Sequence, residues 1–382
     1  MSTRMKSVQP PPLVNLMKLA TSTEGCISLA QGVPSYSPPK ELLAEFAKLL
    51  TEQKIHTYTA DPGTLELRKS ISSMILQDFS IKSTASEIVV TPGANQAFIN
   101  VILSLCDPKD RVMLLSPYYF NHKMALDMFG FKSVIFETED DFSIDYSKLK
   151  PLMKDVKVLV LVNPGNPSGY SYSQGQLREL ANFLKSNSPD VVVVSDETYN
   201  YFSYVWSFTP MRNLYPRTIT LGSLSKSFGI PGWRIGYYHI PESEFQDLMD
   251  LSLKVQDTTV ICASHASQEL GNLLIQRRTE FLSDFISITK NNHRIASEQL
   301  AEIHALELPP HNAAYYIFPK IIGRSSYGFD LANSLIREFK VAVVPGEVFG
   351  KRWKNNLRIS FANVDAEVLS EGLRRIKLAL DS

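Results

Sequence analysis

The feature that most limits what this chain can fold into is a repeated alternation. Short apolar, β-branched runs occur at residues 87–90, 111–115, 134–136, 156–162, 191–194 and 218–221, and stretches with helical spacing, such as 94–105 and 174–184, lie between most of them. Several runs are apolar at successive positions, so both faces of the strands they form must be covered. The pattern predicts an α/β fold with a mostly parallel sheet clothed in helices.

At 382 residues the chain exceeds the size at which one hydrophobic core stops growing, so two unequal lobes are expected. The later third reads differently, with long helical patterns over 268–300 and 330–339, then Leu357-Arg358-Ile359-Ser360 and a closing helix. We divide the chain into an N-terminal arm (1–26), a large domain (46–270) and a discontinuous small domain (27–45 and 271–382). Lysine plus arginine and aspartate plus glutamate number 39 each, so no net field favours nucleic acid or an anionic membrane, and any anion site must be local. Cys26, Cys106 and Cys262 are odd in number and widely spaced, which fits a reducing cytoplasm better than a disulfide framework. The start carries Arg4, Lys6 and three consecutive prolines without an apolar core, so a secretory signal is not expected. No stretch approaches the ~20 apolar residues of a membrane span, and no histidine pair has ligand spacing, so no metal is expected.

In an open α/β sheet, ligands sit beyond the carboxyl ends of the strands, which directs attention to the residues after each run. Thr91-Pro92-Gly93-Ala94-Asn95 is a tight turn into a helix whose free N–H groups suit a phosphate, although such turns also join strands to helices with no ligand. Asn163-Pro164-Gly165-Asn166-Pro167-Ser168-Gly169 is a rigid turn that presents the Asn166 amide. Ser195-Asp196-Glu197-Thr198-Tyr199 places a carboxylate at a buried strand end, where on its own it reads first as a cap for a following helix. Gly222-Ser223-Leu224-Ser225-Lys226 and Pro231-Gly232-Trp233-Arg234 bring a lysine among small hydroxyl residues. A lysine in a dry pocket has a lowered pKa and attacks carbonyls to form a Schiff base, while Ser223, Ser225 and Arg234 can grip a phosphate.

These motifs, in this order, resemble the fold-type I aminotransferases of classes I and II, which depend on pyridoxal 5'-phosphate (PLP). The resemblance runs from about Leu29 to Ile376. It is nearest to plant and bacterial aromatic aminotransferases, including the plant type that uses methionine, on Ala30-Gln31-Gly32-Val33, the segment from Pro92 to Phe98, and Pro117-Tyr118-Tyr119-Phe120-Asn121. It implies the fold-type I architecture, a large domain plus a smaller α+β domain. It implies that Lys226 binds the cofactor covalently and moves the substrate proton. Asp196 would pair with the pyridine nitrogen, and Tyr199 and Asn166 would bond the phenolic oxygen, with Tyr119 stacked on the ring. Gly93, Ala94, Asn95, Ser223, Ser225 and Arg234 would hold the phosphate, joined by Tyr58 from the other subunit of a homodimer. Arg358, with Gly32 and Asn166, would bind the substrate carboxylate. The activity implied is transfer of an amino group between an L-amino acid, aromatic or methionine, and a 2-oxo acid.

The chain departs from the family pattern at Pro310-His311-Asn312-Ala313-Ala314-Tyr315-Tyr316, which lacks an expected glycine, and at the entrance segment Val33-Pro34-Ser35-Tyr36-Ser37. Both segments are candidates for the side-chain pocket. A PLP lyase or cyclase on the same scaffold is the alternative. A non-catalytic regulator with an aminotransferase-like domain would need a DNA-binding domain, for which there is no length before Leu29.

Overall fold

The computed structural model describes residues 2–323 and 327–381, so Met1, residues 324–326 and Ser382 of the expected arm and small domain lie outside the described residues. Seven strands form the main sheet: β1 (Ile88–Thr91), β2 (Arg111–Ser116), β3 (Lys132–Glu137), β4 (Val156–Val162), β5 (Val192–Asp196), β6 (Thr218–Ser223) and β7 (Gly236–His239). Their order is β1-β7-β6-β5-β4-β2-β3. The pairs from β6 through β3 are parallel, and β7 runs antiparallel to both neighbours.

The six expected runs become β1 to β6, shifted by one or two residues at several ends. The strand that periodicity misses is β7. It is four residues long and begins with a glycine, a poor strand former. That glycine is a requirement of packing, since a Cβ on Gly236 would lie 2.7 Å from the Ala94 nitrogen. The strand passes directly under the turn that follows β1.

Alternating residues within each run account for the two buried faces. Val158 and Val160 of β4 pack with Phe98, Val101 and Leu126, while Leu159 and Leu161 point to the other face with Leu177, Leu180 and Leu184 of helix Gln174–Asn187. Each such side chain, removed from water, stabilises the fold by about 1.5–3 kcal/mol. The helix is fixed at its start by a capping box in which Ser173 and Gln176 satisfy each other's backbone N–H.

The later third carries short strand pairs and long helices. The 268–300 pattern resolves into two helices, His265–Gln276 and Leu282–Ala301, and the second packs against the closing helix Ala366–Asp381. The strand Leu357–Ser360 pairs antiparallel with Tyr316–Ile317 on one side and Val344–Pro345 on the other. The two ends of the chain meet here. Ile27–Ser28 pairs parallel with Val341–Ala342, and the Ser360 N–H donates to the Leu29 carbonyl at 2.8 Å. Among the described residues, no helix is long and apolar enough to cross a membrane.

Candidate active site

The chain direction across the sheet reverses between β2 and β4, and ligands bind outside the carboxyl ends of strands at such a point. A cavity of about 200 Å³ opens there. Its walls include Gly32, Ala94, Asn95, Tyr119, Asn166 and Asp196, and beyond them Tyr199, Ser223, Ser225, Lys226, Arg234 and Arg358. The structure thus brings together every residue the sequence nominated except two. Gly93 stands just behind the lining as the residue before helix Ala94–Leu105, and Tyr58 lies 78 % exposed on the surface.

Lys226 sits in the short helical turn after β6. Its Nζ donates to the Gly32 carbonyl at 2.5 Å. Burial pushes its pKa down to about 8, with the Arg358 and Arg234 charges acting in the same direction and Asp196 opposing them. An amine so placed is a better nucleophile and base near neutral pH than an ordinary lysine.

Asp196, the last residue of β5, is 5 % exposed and uses its two oxygens differently. Oδ1 accepts from Thr198 N at 3.1 Å and Thr198 Oγ1 at 2.6 Å, so the capping reading is correct for one oxygen, though the segment it closes is a turn and not a helix. Oδ2 lies 3.3 Å from His122 Nε2. Burial raises the pKa of this carboxyl, but the His122 and Thr198 hydrogen bonds together outweigh it and hold the group below its ordinary value. The adjacent Glu197 is bonded by Ser195 and the Met211 backbone, and burial pushes it up to about 8. Two neighbouring acids are therefore charged and neutral at pH 7, and it is the charged one that faces the cavity.

The opposite end of the cavity is rich in donors. The N–H groups of Ala94 and Asn95 open a 12-residue helix and have no place in its ladder. Gly93, at φ +82°, leaves room for the Arg234 guanidinium, because a Cβ there would lie 2.5 Å from Nη2. Arg234 reaches this position from a left-handed backbone (φ 56°), and among the described residues its guanidinium donates to the carbonyls of Pro231 and Pro92, at 3.2 and 3.4 Å. Ser223 and Ser225 complete the group, with the Ser225 N–H donating to Ser223 Oγ at 3.2 Å.

On the third side, Arg358 is 2 % exposed. It donates to Asn166 Oδ1 at 2.9 Å and to the Ala30 carbonyl at 2.6 Å, and its Nε has no partner. The guanidinium stacks over Tyr316 and Phe349, 4.5 and 5.1 Å from the ring centroids. With Oδ1 of Asn166 committed to Arg358, the donor end of that amide remains for a ligand. Three cations and one anion line the cavity. The residues fit a ligand with a phosphate-like dianion at one end, a protonated ring nitrogen at Asp196, a carbonyl within reach of Lys226 and a carboxylate at Arg358.

Residues that the sequence did not nominate also belong to this site. His122 lies one helical turn after Tyr119, edge-on to it at 5.2 Å and stacked on Phe98 at 4.1 Å, so its i+3 spacing from a nominated aromatic was a usable signal. Phe120 lines the cavity, as does Leu13 of the N-terminal helix Pro12–Ser22, and no local pattern marks them. Of the two divergent segments expected at the side-chain pocket, 310–316 contributes Tyr316 to the cavity and 33–37 contributes nothing to its walls. Tyr36 does not line the cavity but packs on Phe285 behind Lys226, where its hydroxyl and that of Tyr315 hold the Lys226 carbonyl at 2.9 and 3.2 Å. Where the glycine is missing, Ala314 takes a left-handed backbone (φ 55°), fixed by its N–H to the Phe202 carbonyl at 2.8 Å, and Tyr316 still reaches the cavity.

A sequence model of aminotransferases of classes I and II matches residues 24–376. The chain is 29% identical over 394 residues to an aromatic aminotransferase of Arabidopsis thaliana, covering 100% of this chain and 96% of that protein. It is 28% identical over 388 residues to an aspartate aminotransferase of Pyrococcus abyssi, covering 100% and 98%. The solved structure of an aspartate aminotransferase from Thermotoga maritima superposes on it with a TM-score of 0.91 at 26% identity, over 100% of both chains. A cavity that asks for a phosphate, a ring nitrogen and an amine-reactive carbonyl is what that family supplies to its cofactor, and the chain belongs to the class I and II aminotransferases as a PLP-dependent enzyme that moves an amino group between an amino acid and a 2-oxo acid.

Proposed function

We propose that Lys226 is the residue that holds PLP and, once released by the substrate, the base that moves the substrate α-proton. The observation that carries this reading is the pairing, in one cavity, of an amine pushed down to about 8 with a carboxylate held in its charged form. Bound PLP supplies an electron sink, which no side chain of the protein offers. Asp196 keeps the ring nitrogen protonated, and His122 fixes the carboxylate. Tyr199 and Asn166 donate to the phenolic oxygen, and Tyr119 covers the ring. Gly93, Ala94, Asn95, Ser223, Ser225 and Arg234 hold the phosphate. Arg358 binds the substrate carboxylate between Asn166 and the backbone near Gly32, so that the α-carbon hydrogen is directed to Lys226 Nζ.

The substrate side chain is aromatic or that of methionine. Beyond the groups assigned above, the described walls of the cavity include Leu13, Phe120, Val162, Thr198, Pro231 and Tyr316. Among the described residues, the cations at the cavity are Lys226, Arg234 and Arg358, each with a task already, so none is left for a second carboxylate. The aromatic relative from Arabidopsis thaliana supports the same choice.

The enzyme works in the cytoplasm as a homodimer in which Tyr58 of each subunit reaches the phosphate of the other. Tyr58 is 78 % exposed in the single chain, so its ring and hydroxyl are accessible to a partner's site. The division into an arm, a large domain (46–270) and a small domain (27–45 and 271–382) is supported by the pairing of Ile27–Ser28 with Val341–Ala342. Adding one amino acid at a time to the purified protein, without oxo acid, tests the function. Aromatic amino acids and methionine should convert the absorbance of bound PLP to that of pyridoxamine phosphate faster than aspartate does. A protein that carries no PLP would sink the role of Lys226, and faster conversion by aspartate would sink the side-chain assignment.

A further inference from the structure

Tyr316 lies buried on the two-residue strand Tyr316–Ile317, paired with the strand that carries Arg358. Its hydroxyl is 2.6 Å from Tyr199 Oη. Its ring lies under the Arg358 guanidinium, 4.5 Å from Cζ. The same hydroxyl holds position 32 to glycine, since a Cβ there would lie 1.7 Å from it. Groups with separate tasks, cofactor, carboxylate and the carbonyl that receives Lys226, thus share one neighbour.

We propose that Tyr316 is a positioning residue that relays the state of the Arg358 carboxylate clamp to Tyr199, and through Tyr199 to the phenolic oxygen of the cofactor. The inference rests on the roles proposed above for Tyr199 and Arg358. Either phenol can donate in the pair, but the Arg358 guanidinium, stacked 4.5 Å over Tyr316, draws electron density more strongly from that ring than from Tyr199. Tyr316 is therefore the better donor, and Tyr199 Oη accepts from it while keeping its own hydrogen for the ligand. A donor that itself accepts a hydrogen bond is strengthened, by roughly 10–30% per bond. A carboxylate on Arg358 neutralises the guanidinium, weakens Tyr316 as a donor and so weakens Tyr199. The other groups facing the pair are Tyr119 and Tyr315, with Lys226 and Asp196 across the cavity. Of these, Tyr119 already accepts from Asn121 at 2.9 Å and Lys226 donates to the Gly32 carbonyl, which leaves Arg358 as the cation stacked on Tyr316.

The test is a spectrophotometric pH titration of bound PLP in three variants. Less donation to the phenolic oxygen makes the linked nitrogen more basic, so Tyr316→Phe should move the midpoint up, on the order of 0.3 pH unit. Tyr199→Phe should move it further, and the double variant should titrate with Tyr199→Phe alone, because the relay ends there. The phenylalanine keeps a ring under Arg358, so its KM should rise less than that of Tyr316→Leu. A Tyr316→Phe midpoint equal to wild type, or additive shifts in the double variant, would overturn the relay. If Tyr316→Phe does not fold, 3-phenylpropanoate serves as a non-reacting carboxylate. It should raise the midpoint more in wild type than in Tyr199→Phe, and equal shifts would overturn the proposal. A wild type without PLP absorbance sinks the underlying reading instead, and this inference with it.

Discussion

One wall of the cavity is made by turns at the ends of parallel strands, the other by short strands of the later third. In the first, Asp196 and Tyr199 follow β5, Ser223 to Lys226 follow β6, and Asn166 follows β4, each within a few residues of the strand that aims it. In the second, Arg358 is fixed by a carbonyl 328 residues away in sequence and by an amide 192 residues away. The difference teaches where each kind of function sits. In the proposed reading, the cofactor groups occupy the locally encoded wall, and the arginine proposed to bind the substrate carboxylate occupies the wall that must be assembled across the chain. Variants on the first should therefore act on kcat and on the cofactor, and variants on the second on KM.

The largest effect tests the first wall. Lys226→Ala should lower amino transfer by at least ~10³-fold in single-turnover assays, because covalent capture and proton movement are lost together. Retention of wild-type turnover would erase the contrast between the walls. Next, Arg358→Lys loses the planar fork that reaches Asn166 and Ala30. KM for the amino acid should rise about 30-fold, the equivalent of one charge-assisted hydrogen bond of ~2 kcal/mol, with a much smaller change in kcat. An equal loss in kcat would merge the walls.

The pH dependence of Lys226 sharpens the comparison. Its pKa of about 8 in the folded chain lies below the 10.5 of a free lysine, so between these values the unfolded chain binds more protons. This group therefore makes the cofactor-free protein more stable as pH rises from about 8 toward 10.5, and below 8 it is a fixed cost. Capture of PLP requires the neutral amine. Its second-order rate, measured by stopped flow, should rise about tenfold per pH unit below 8 and level off above. A flat profile would show that burial does not tune the amine. The smallest effect belongs to Tyr58→Phe, which should weaken PLP about fivefold in the dimer, the order of one hydrogen bond of ~1 kcal/mol at the rim. Thermal stability should be unaffected, because Tyr58 is 78 % exposed in the single chain. A loss of stability would place Tyr58 in the fold and not in the neighbouring site.

The same contrast governs what could be read without a structure. The six apolar runs, the helix over Ala94–Leu105 and the turns after the strands were legible because hydrophobic period and turn chemistry act over a few residues. Lys226, Asp196, Asn166 and Arg234 were legible for the same reason. Arg358 was legible only through resemblance, since an arginine on a four-residue strand has no local mark of what it will face. Leu13 carried no such mark either, while His122 had only its helical spacing from Tyr119 and Tyr316 only its place in a divergent segment. Their roles come from contacts between segments distant in sequence: the strand pairing that sets Tyr316 beside Arg358, and the helix that turns His122 toward Asp196. Sequence alone thus determined six of the seven strands of the sheet and the strand-end turns that line the cavity, because short-range periodicity and turn chemistry specify them. Tertiary structure decided which oxygen of Asp196 meets His122, what lies behind Lys226 and which aromatic rings stack on Arg358, because long-range packing alone brings those groups into contact.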